Sequence, residues 1–263
     1  MFREQFNAEL LERATSRRGF LKGASAVGLT AAGVSAFPGL ASAAGGTDTD
    51  AIDPPSVIFN VAITAEQLAV TFYTNGVKNA KALGLSGNNL DYIKAALLEE
   101  QIHELFFASN GGVPTTSTFS FPAGPKTFTD LKTFIDTQQI LEGAFDSAFI
   151  AAVYEFSVGG FHDLARVAAQ IAMIEEGHRE LGLTIINAPV ADNEAFAPQL
   201  VSDVNDAPVV LAAAGFLSPV PGNSYTYEQV NFGDPALNPI FKQITFKHPY
   251  VRPEFANDDG GSD

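Results

Sequence analysis

Two Glu-x-x-His steps constrain this chain more than any other feature of its sequence. Glu100 and His103 form the first step, and Glu175 and His178 form the second. On an α-helix, residues three apart project from the same face about 5 Å from one another. Each step can therefore present a carboxylate and an imidazole to one metal ion.

A lone glutamate precedes each Glu-x-x-His step by nearly the same number of residues, so the whole pattern occurs twice. Glu66 lies 34 residues before Glu100, and Glu142 lies 33 residues before Glu175. Four carboxylates and two imidazoles suit a pair of iron or manganese ions better than a structural zinc, which favours four ligands rich in Cys and His. The predicted metal ligands are Glu66, Glu100, His103, Glu142, Glu175 and His178.

Apolar residues recur with helical period in four segments, each roughly 20 to 30 residues long, between about Pro55 and Ala188. Turn signals at residues 83–89, at residues 110–114 and at Gly159-Gly160 separate them. The first and third links are short and predict two antiparallel hairpins. The 17-residue link from Asn110 to Lys126 is long enough to cross the bundle. The predicted fold is all-α, a four-helix bundle with one long crossover over residues 56–187.

The predicted ligands lie on the apolar faces of these helices. Buried carboxylates without a counter-charge cost several kcal/mol each or take up protons, and two divalent cations would balance them. The alternative is that some of the glutamates face solvent at the edge of the apolar stripe. The stripe residues around the two Glu-x-x-His steps are Ile93, Ala96, Leu97 and Phe107 in the second helix and Leu164, Ala168, Ile171, Leu181 and Ile185 in the fourth.

Three other polar side chains lie close to the predicted ligands in the sequence. Glu99 and Glu176 each point about 100° away from the neighbouring glutamate, which places them beside the ligands or at the surface. Tyr73 lies one to two turns beyond Glu66, where it either hydrogen-bonds a ligand or simply fills the core.

The first 43 residues have the features of an export signal. Paired arginines at Arg17 and Arg18 precede an Ala/Gly-rich apolar stretch and an Ala-Ser-Ala cleavage site that ends at Ala43. This pattern resembles a twin-arginine signal peptide at 1–43, followed by a linker at 44–55. It predicts a periplasmic or secreted product without a transmembrane segment in the mature chain. A membrane-anchoring helix is the alternative, which the glycines and the proline of the stretch disfavour.

The residues after the bundle are rich in proline. Nine of the 15 prolines fall between 188 and 255, which predicts an extension that wraps the bundle rather than a second domain. Residues from Pro208 to Leu217 are predicted to form a short apolar helix that either covers a bundle end or makes a subunit contact in a homo-oligomer. Residues 256–263 are predicted to be a disordered tail.

Composition excludes several classes of function. The net charge of −15 argues against nucleic acid as a partner, because a phosphate backbone requires a basic surface. The chain has no cysteine, so disulfides, iron–sulfur clusters and thiol nucleophiles are excluded.

The ligand pattern resembles that of the ferritin-like superfamily, which includes ferritins, rubrerythrins and manganese catalases. With its export signal and long extension, the chain is most similar to exported ferritin-like domain proteins related to plant desiccation-related proteins. The resemblance implies that Glu100 and either Glu142 or Glu175 bridge two ions. It also implies that Glu66 is a terminal ligand and that each histidine binds one ion.

Two main functions fit this sequence. The first is a di-metal oxidoreductase in stress protection, whose partner is a small-molecule oxidant, peroxide or oxygen, or ferrous iron. Manganese would favour peroxide disproportionation, and iron would favour ferrous-iron oxidation. The second is a non-enzymatic desiccation or envelope stress protein that the metal pair stabilises. A third, an apolar binding module without metal, would require protonated or exposed glutamates.

Overall fold

The computed structural model describes residues 52–189, 195–237 and 239–240. The predicted signal peptide at 1–43, most of the linker at 44–55 and the tail at 256–263 lie outside the described residues. So do residues 190–194, residue 238 and residues 241–255 of the predicted extension.

The described chain is mostly helical with one two-stranded sheet, which confirms the predicted all-α class. A single-turn helix, α2, lies between the first two long helices. The helices up to the end of the bundle are α1 (Pro55–Lys78), α2 (Ala80–Leu83), α3 (Gly87–Ser109), α4 (Leu131–Val158) and α5 (His162–Ile185).

Local sequence explains where these helices begin and end. Pro55 occupies the first turn of α1, where its missing N–H and fixed φ cost nothing. Gly84 ends α2 with a φ of 71°, a left-handed conformation that favours glycine. Asp130 caps α4, because its side chain accepts a hydrogen bond of 2.8 Å from the backbone N–H of Thr133.

The long helices pack as the two predicted hairpins, α1 against α3 and α4 against α5. The link between the hairpins runs from the end of α3 to the start of α4. It contains strand β1 (Thr118–Phe119) and a 3₁₀-helix (Gly124–Phe128). Phe72 of α1 stacks on Phe134 of α4, with ring centroids 4.5 Å apart, so aromatic packing joins the two hairpins.

After α5 the described part of the chain returns to the bundle. A 3₁₀-helix (Val204–Asp206) leads into α6 (Ala207–Ala213), the short helix expected near Pro208. This helix packs over the seam between α1 and α4 rather than over a bundle end, and its Leu211 lines an apolar cavity of about 20 Å³ there. Strand β2 (Tyr225–Thr226) then pairs antiparallel with β1.

One predicted stripe residue is on the wrong side of its helix. Leu181 is 46% exposed, and the adjacent Gly182 takes the buried position instead. The buried positions 171, 175, 178, 182 and 185 alternate steps of four and three residues, as the 3.6-residue period requires. The step after His178 is therefore four, to Gly182, and not three, to Leu181. The missing side chain of Gly182 hides this position from a search for apolar residues.

Helix α1 is long and apolar enough, by length and composition alone, to cross a membrane. In the structure 78% of its most apolar stretch is buried against the rest of the bundle. The same composition is expected of the central helix of an apolar core.

Candidate metal centre

The six predicted ligands converge in the middle of the bundle, one glutamate from each long helix and one histidine from each of α3 and α5. The four glutamate side chains are fully buried, and both histidines are at least mostly buried. Helix α1 contributes Glu66, α3 contributes Glu100 and His103, α4 contributes Glu142, and α5 contributes Glu175 and His178.

The first half of the centre surrounds His103. Its Nδ1 lies 3.4 Å from Glu100 Oε2, its neighbour one turn earlier. The same nitrogen lies 3.7 Å from Glu66 Oε2 on α1 and 3.5 Å from Glu175 Oε1 on α5. One imidazole nitrogen therefore faces carboxylates from three helices.

The second half surrounds His178 in the same way. Its Nδ1 lies 3.0 Å from Glu175 Oε2 and 3.0 Å from Glu100 Oε1. Glu142 Oε1 lies 3.5 Å away. The two halves are thus built alike, each with one histidine, its own lone glutamate and the glutamates of both Glu-x-x-His steps.

Glu100 and Glu175 belong to both halves. In each group of four residues the potential ligand atoms all lie within 4.8 Å of one another. Each shared carboxylate turns one oxygen toward His103 and the other toward His178. This geometry makes Glu100 and Glu175 the pair suited to bridge two ions. Glu66 belongs only to the half around His103, and Glu142 belongs only to the half around His178.

The donor atoms fit a metal pair. Seven buried oxygen and nitrogen atoms of the six side chains have no hydrogen-bond partner among the described residues. Such atoms are costly when nothing compensates them. Neighbouring ligands of a first-row metal, bound at about 2.1 Å, lie about 3 Å apart, close to the separations seen around both histidines. The oxygen-rich donor set suits iron or manganese.

Without ions, the charges of the centre perturb one another. Burial raises the pKa of the Glu66 carboxyl well above its usual value, although neighbouring His103 opposes the shift. Burial also raises the pKa of Glu142, and the carboxylates of Glu100 and Glu175 raise it further. Burial alone would lower the pKa of His103, but Glu66 and its neighbours raise it well above the usual value. These raised pKa values mean that the buried side chains favour extra protons, which divalent cations would replace.

Tyr73 and Gln138 support the second half of the centre. The Tyr73 hydroxyl donates to Glu142 Oε1 and accepts a hydrogen bond of 2.8 Å from Gln138 Nε2. The Tyr73 ring also lies edge-on to His178, with centroids 5.7 Å apart. Of the two roles expected for Tyr73, the structure shows the contact with a predicted ligand. The role of Gln138 was missed, because its place on an apolar stripe was the only signal.

The two neighbouring acids differ in what they contact. Glu99 is 43% exposed, yet its Oε2 lies 3.0 Å from His178 Nε2. This contact orients the ring so that Nδ1 faces the centre. Glu176 instead accepts a hydrogen bond of 2.5 Å from Arg179, outside the ligand cluster. His162, the first residue of α5, is exposed.

A family model for the ferritin-like domain matches residues 56–188. This chain belongs to the ferritin-like family. The matched region of this ferritin-like protein covers all four long helices and all six predicted ligands, and it ends before the proline-rich extension. Comparisons with curated proteins and with solved structures give no match.

Proposed function

We propose that this ferritin-like protein binds two iron or manganese ions in its bundle. We propose further that it is an oxidoreductase of stress protection, which consumes peroxide or oxidises ferrous iron. The observation that supports this most is the pair of four-residue groups that share Glu100 and Glu175. Two metal positions that share carboxylates suit a two-electron exchange with a small oxidant, which is the chemistry that the ions supply when bound.

The chain's own residues would hold and insulate this centre. The four carboxylates offset the charge of two divalent cations, and the surrounding apolar side chains exclude bulk water. Glu99 keeps a proton on His178 Nε2, so that Nδ1 is free to bind. Burial of the centre favours small substrates such as peroxide, oxygen or ferrous iron itself.

Metal analysis tests the centre directly. We expect about two iron or manganese atoms per chain, and we expect the double variant Glu100→Gln/Glu175→Gln to lose both. Asp163→Asn is the control, because Asp163 is an exposed acid on α5, the helix that carries Glu175. Wild-type protein without metal after growth in iron and manganese would rule out the proposal.

The bound metal then selects the activity assay. With manganese we expect hydrogen peroxide to be consumed with release of oxygen, and with iron we expect oxidation of added ferrous iron. The double variant should lose either activity along with its metal. Metal-replete protein that performs neither reaction would exclude both activities.

A second candidate is a non-enzymatic desiccation or envelope stress protein that the metal pair stabilises. The complete burial of the four carboxylates favours it, since a structural site needs no access for a substrate. In that case chelation should lower the melting temperature strongly in a protein that has no redox activity. Ligand at 100 times its Kd contributes about 2.7 kcal/mol per site to the native state.

We also propose export by the twin-arginine route to the periplasm or the medium. The paired Arg17 and Arg18 and the Ala-Ser-Ala site support this proposal. Replacing both arginines with lysine should retain an uncleaved protein in the cytoplasm, which fractionation and mass spectrometry would detect. Unchanged export of that variant would exclude the twin-arginine route.

A further inference from the structure

A buried amide network lies directly behind the first half of the metal centre. Its members are the residues that follow the three predicted ligands on α1 and α3: Gln67 follows Glu66, Gln101 follows Glu100, and Glu104 follows His103. One step along an α-helix is a rotation of about 100°, so these side chains point out of the bundle while the ligands point in. All three network side chains are nonetheless buried.

Hydrogen bonds join α1 to α3 within this network. Both oxygens of the Glu104 carboxylate accept from amides, Oε1 from Gln67 Nε2 and Oε2 from Gln101 Nε2, each at 3.0 Å. Glu104 thus spans the two helices that carry Glu66, Glu100 and His103. The network fixes how these helices are rotated against each other.

The extension after the bundle closes the network from outside. We call residues 225–230 the C-terminal strap. The backbone N–H of Val230 donates to Gln101 Oε1 at 2.7 Å, and the Tyr227 hydroxyl lies 3.2 Å from Gln101 Nε2. Burial raises the pKa of Tyr227 to about 12, so the hydroxyl stays protonated at this contact. The strap is held on its other side by the pairing of β2 with β1.

The second hairpin has a different network behind its predicted ligands. There the residues after the ligands are Gly143, Glu176 and Arg179. Arg179 of α5 donates to Glu176 at 2.5 Å and to Asp146 of α4 at 3.2 Å, so this network joins α4 to α5 directly. The two halves of the centre, alike in their ligands, therefore differ in what holds those ligands.

We propose that Gln101 is a positioning residue through which the C-terminal strap holds the Glu66–Glu100–His103 half of the metal centre. This inference rests on the proposed metal centre. Without Gln101, the strap loses its contact with α3 and Glu104 loses one of its two amide donors. Glu66, Glu100 and His103 then lose their fixed orientation. The remaining ligands lie on α4 and α5, which Arg179 joins.

The test is a Mn(II) titration of purified full-length protein, repeated anaerobically with Fe(II), with bound metal measured after equilibrium dialysis. Gln101→Met keeps the length of the side chain and removes all its hydrogen bonds. We expect it to lower the affinity of the position at His103 about 10- to 100-fold. The position at His178 should lose less, because Glu100 is its only ligand from the first hairpin. At limiting Mn(II) the electron paramagnetic resonance spectrum should change from a coupled pair to an isolated six-line signal.

Two further variants complete the test. Tyr227→Phe removes only the hydroxyl next to Gln101, and we expect a smaller loss at the same position. Glu228→Gln is the matched control. Glu228 belongs to the same strap, but its side chain pairs with exposed Lys78 of α1 rather than with Gln101. If Gln101→Met fails to fold, Tyr227→Phe decides.

The outcomes separate this inference from the function on which it rests. Wild-type protein that binds neither metal overturns the metal centre itself. Wild-type protein that binds two ions, with folded variants of the same two affinities, overturns only the role of Gln101. An equal loss at both positions also overturns it, because that result indicates general destabilisation.

Discussion

At the scale of single residues, the Tyr73 hydroxyl distinguishes the two halves of the candidate metal centre. It donates to Glu142, whereas neither oxygen of Glu66, the corresponding glutamate, has a hydrogen-bond partner in the described part of the chain. A ligand held by a neighbouring donor is already oriented before a metal binds. Glu142 is therefore the better prepared of the two lone glutamates.

Replacing Tyr73 with phenylalanine tests this role. We expect Tyr73→Phe to destabilise the metal-free protein by about 1–3 kcal/mol, because the buried groups of Glu142 and Gln138 both lose a partner. Urea unfolding in the presence of a chelator measures the change.

The control for Tyr73 is a second tyrosine beside the centre. The Tyr92 ring also lies edge-on to His178, with centroids 6.5 Å apart, but its hydroxyl donates to the backbone carbonyl of Gly177 at 3.2 Å rather than to a predicted ligand. Tyr92→Phe should cost only about 0.5–1.5 kcal/mol, the usual worth of one hydrogen bond. Equal losses for the two variants would contradict a special role for Tyr73.

At the scale of secondary-structure elements, α5 contains two glycines with opposite surroundings. A Cβ added at Gly182 would lie 1.8 Å from Gln138 Oε1, so this glycine leaves room for the amide that bonds Tyr73. A Cβ added at Gly177 would meet nothing within 4 Å. One glycine is required by packing and the other is not.

The two glycines predict opposite effects of the same substitution. Gly182→Ala should destabilise the protein by about 1–3 kcal/mol, because buried Gln138 has to move. Gly177→Ala should stabilise it by about 0.5–1 kcal/mol, because alanine is the better helix former. Urea unfolding of both variants in the presence of a chelator measures these changes. Destabilisation by Gly177→Ala would show that α5 is packed more closely at this position than the structure indicates.

Helix positions could be predicted largely from sequence, because helical period and turn residues act over short distances. The four long helices and the division at Gly159-Gly160 follow from that pattern. Leu181 was misplaced, because a glycine took the buried position and only the opposing Gln138 reveals why. The strap contact of Gln101 could not be found by pattern, since its partner lies 129 residues away.

At the scale of the whole molecule, Glu155 joins three separate parts of the chain. Its Oε2 accepts from the backbone N–H of Asp53 at 3.0 Å, before the bundle, and its Oε1 accepts from Val204 at 2.8 Å, in the extension. Asp203 also lies in this cluster, so three carboxyl groups share the junction. Burial, followed by the proximity of Asp203 and Glu155, raises the pKa of Asp53 to about 7.

This junction predicts a loss of stability as the pH rises. Asp53 is ionised above its usual pKa of 3.8 in the unfolded chain, whereas the native chain retains the proton up to about pH 7. The native state therefore binds more protons between these values, and stability falls across that window as the pH rises. Asp53→Asn removes the repelling charge and keeps an oxygen for Asn205.

We expect Asp53→Asn to exceed the wild type in stability at pH 8 by about 1 kcal/mol, since partial exposure screens much of the full effect. At pH 4 the two proteins should differ little. Melting curves at the two pH values measure this, with Asp163→Asn as an exposed control. An equal gain at both pH values would mean that the charge of Asp53 is not its cause.

The sequence by itself determined the helices, the doubled pattern of predicted ligands and the ferritin-like family, because helical period and i, i+3 spacing depend only on neighbouring residues. The tertiary structure alone decided which glutamates lie between the two histidines, which tyrosine supports Glu142 and where the extension meets α3. These depend on how each helix is rotated and shifted against its partners. Packing between residues far apart in the chain sets those rotations, and no local pattern records them.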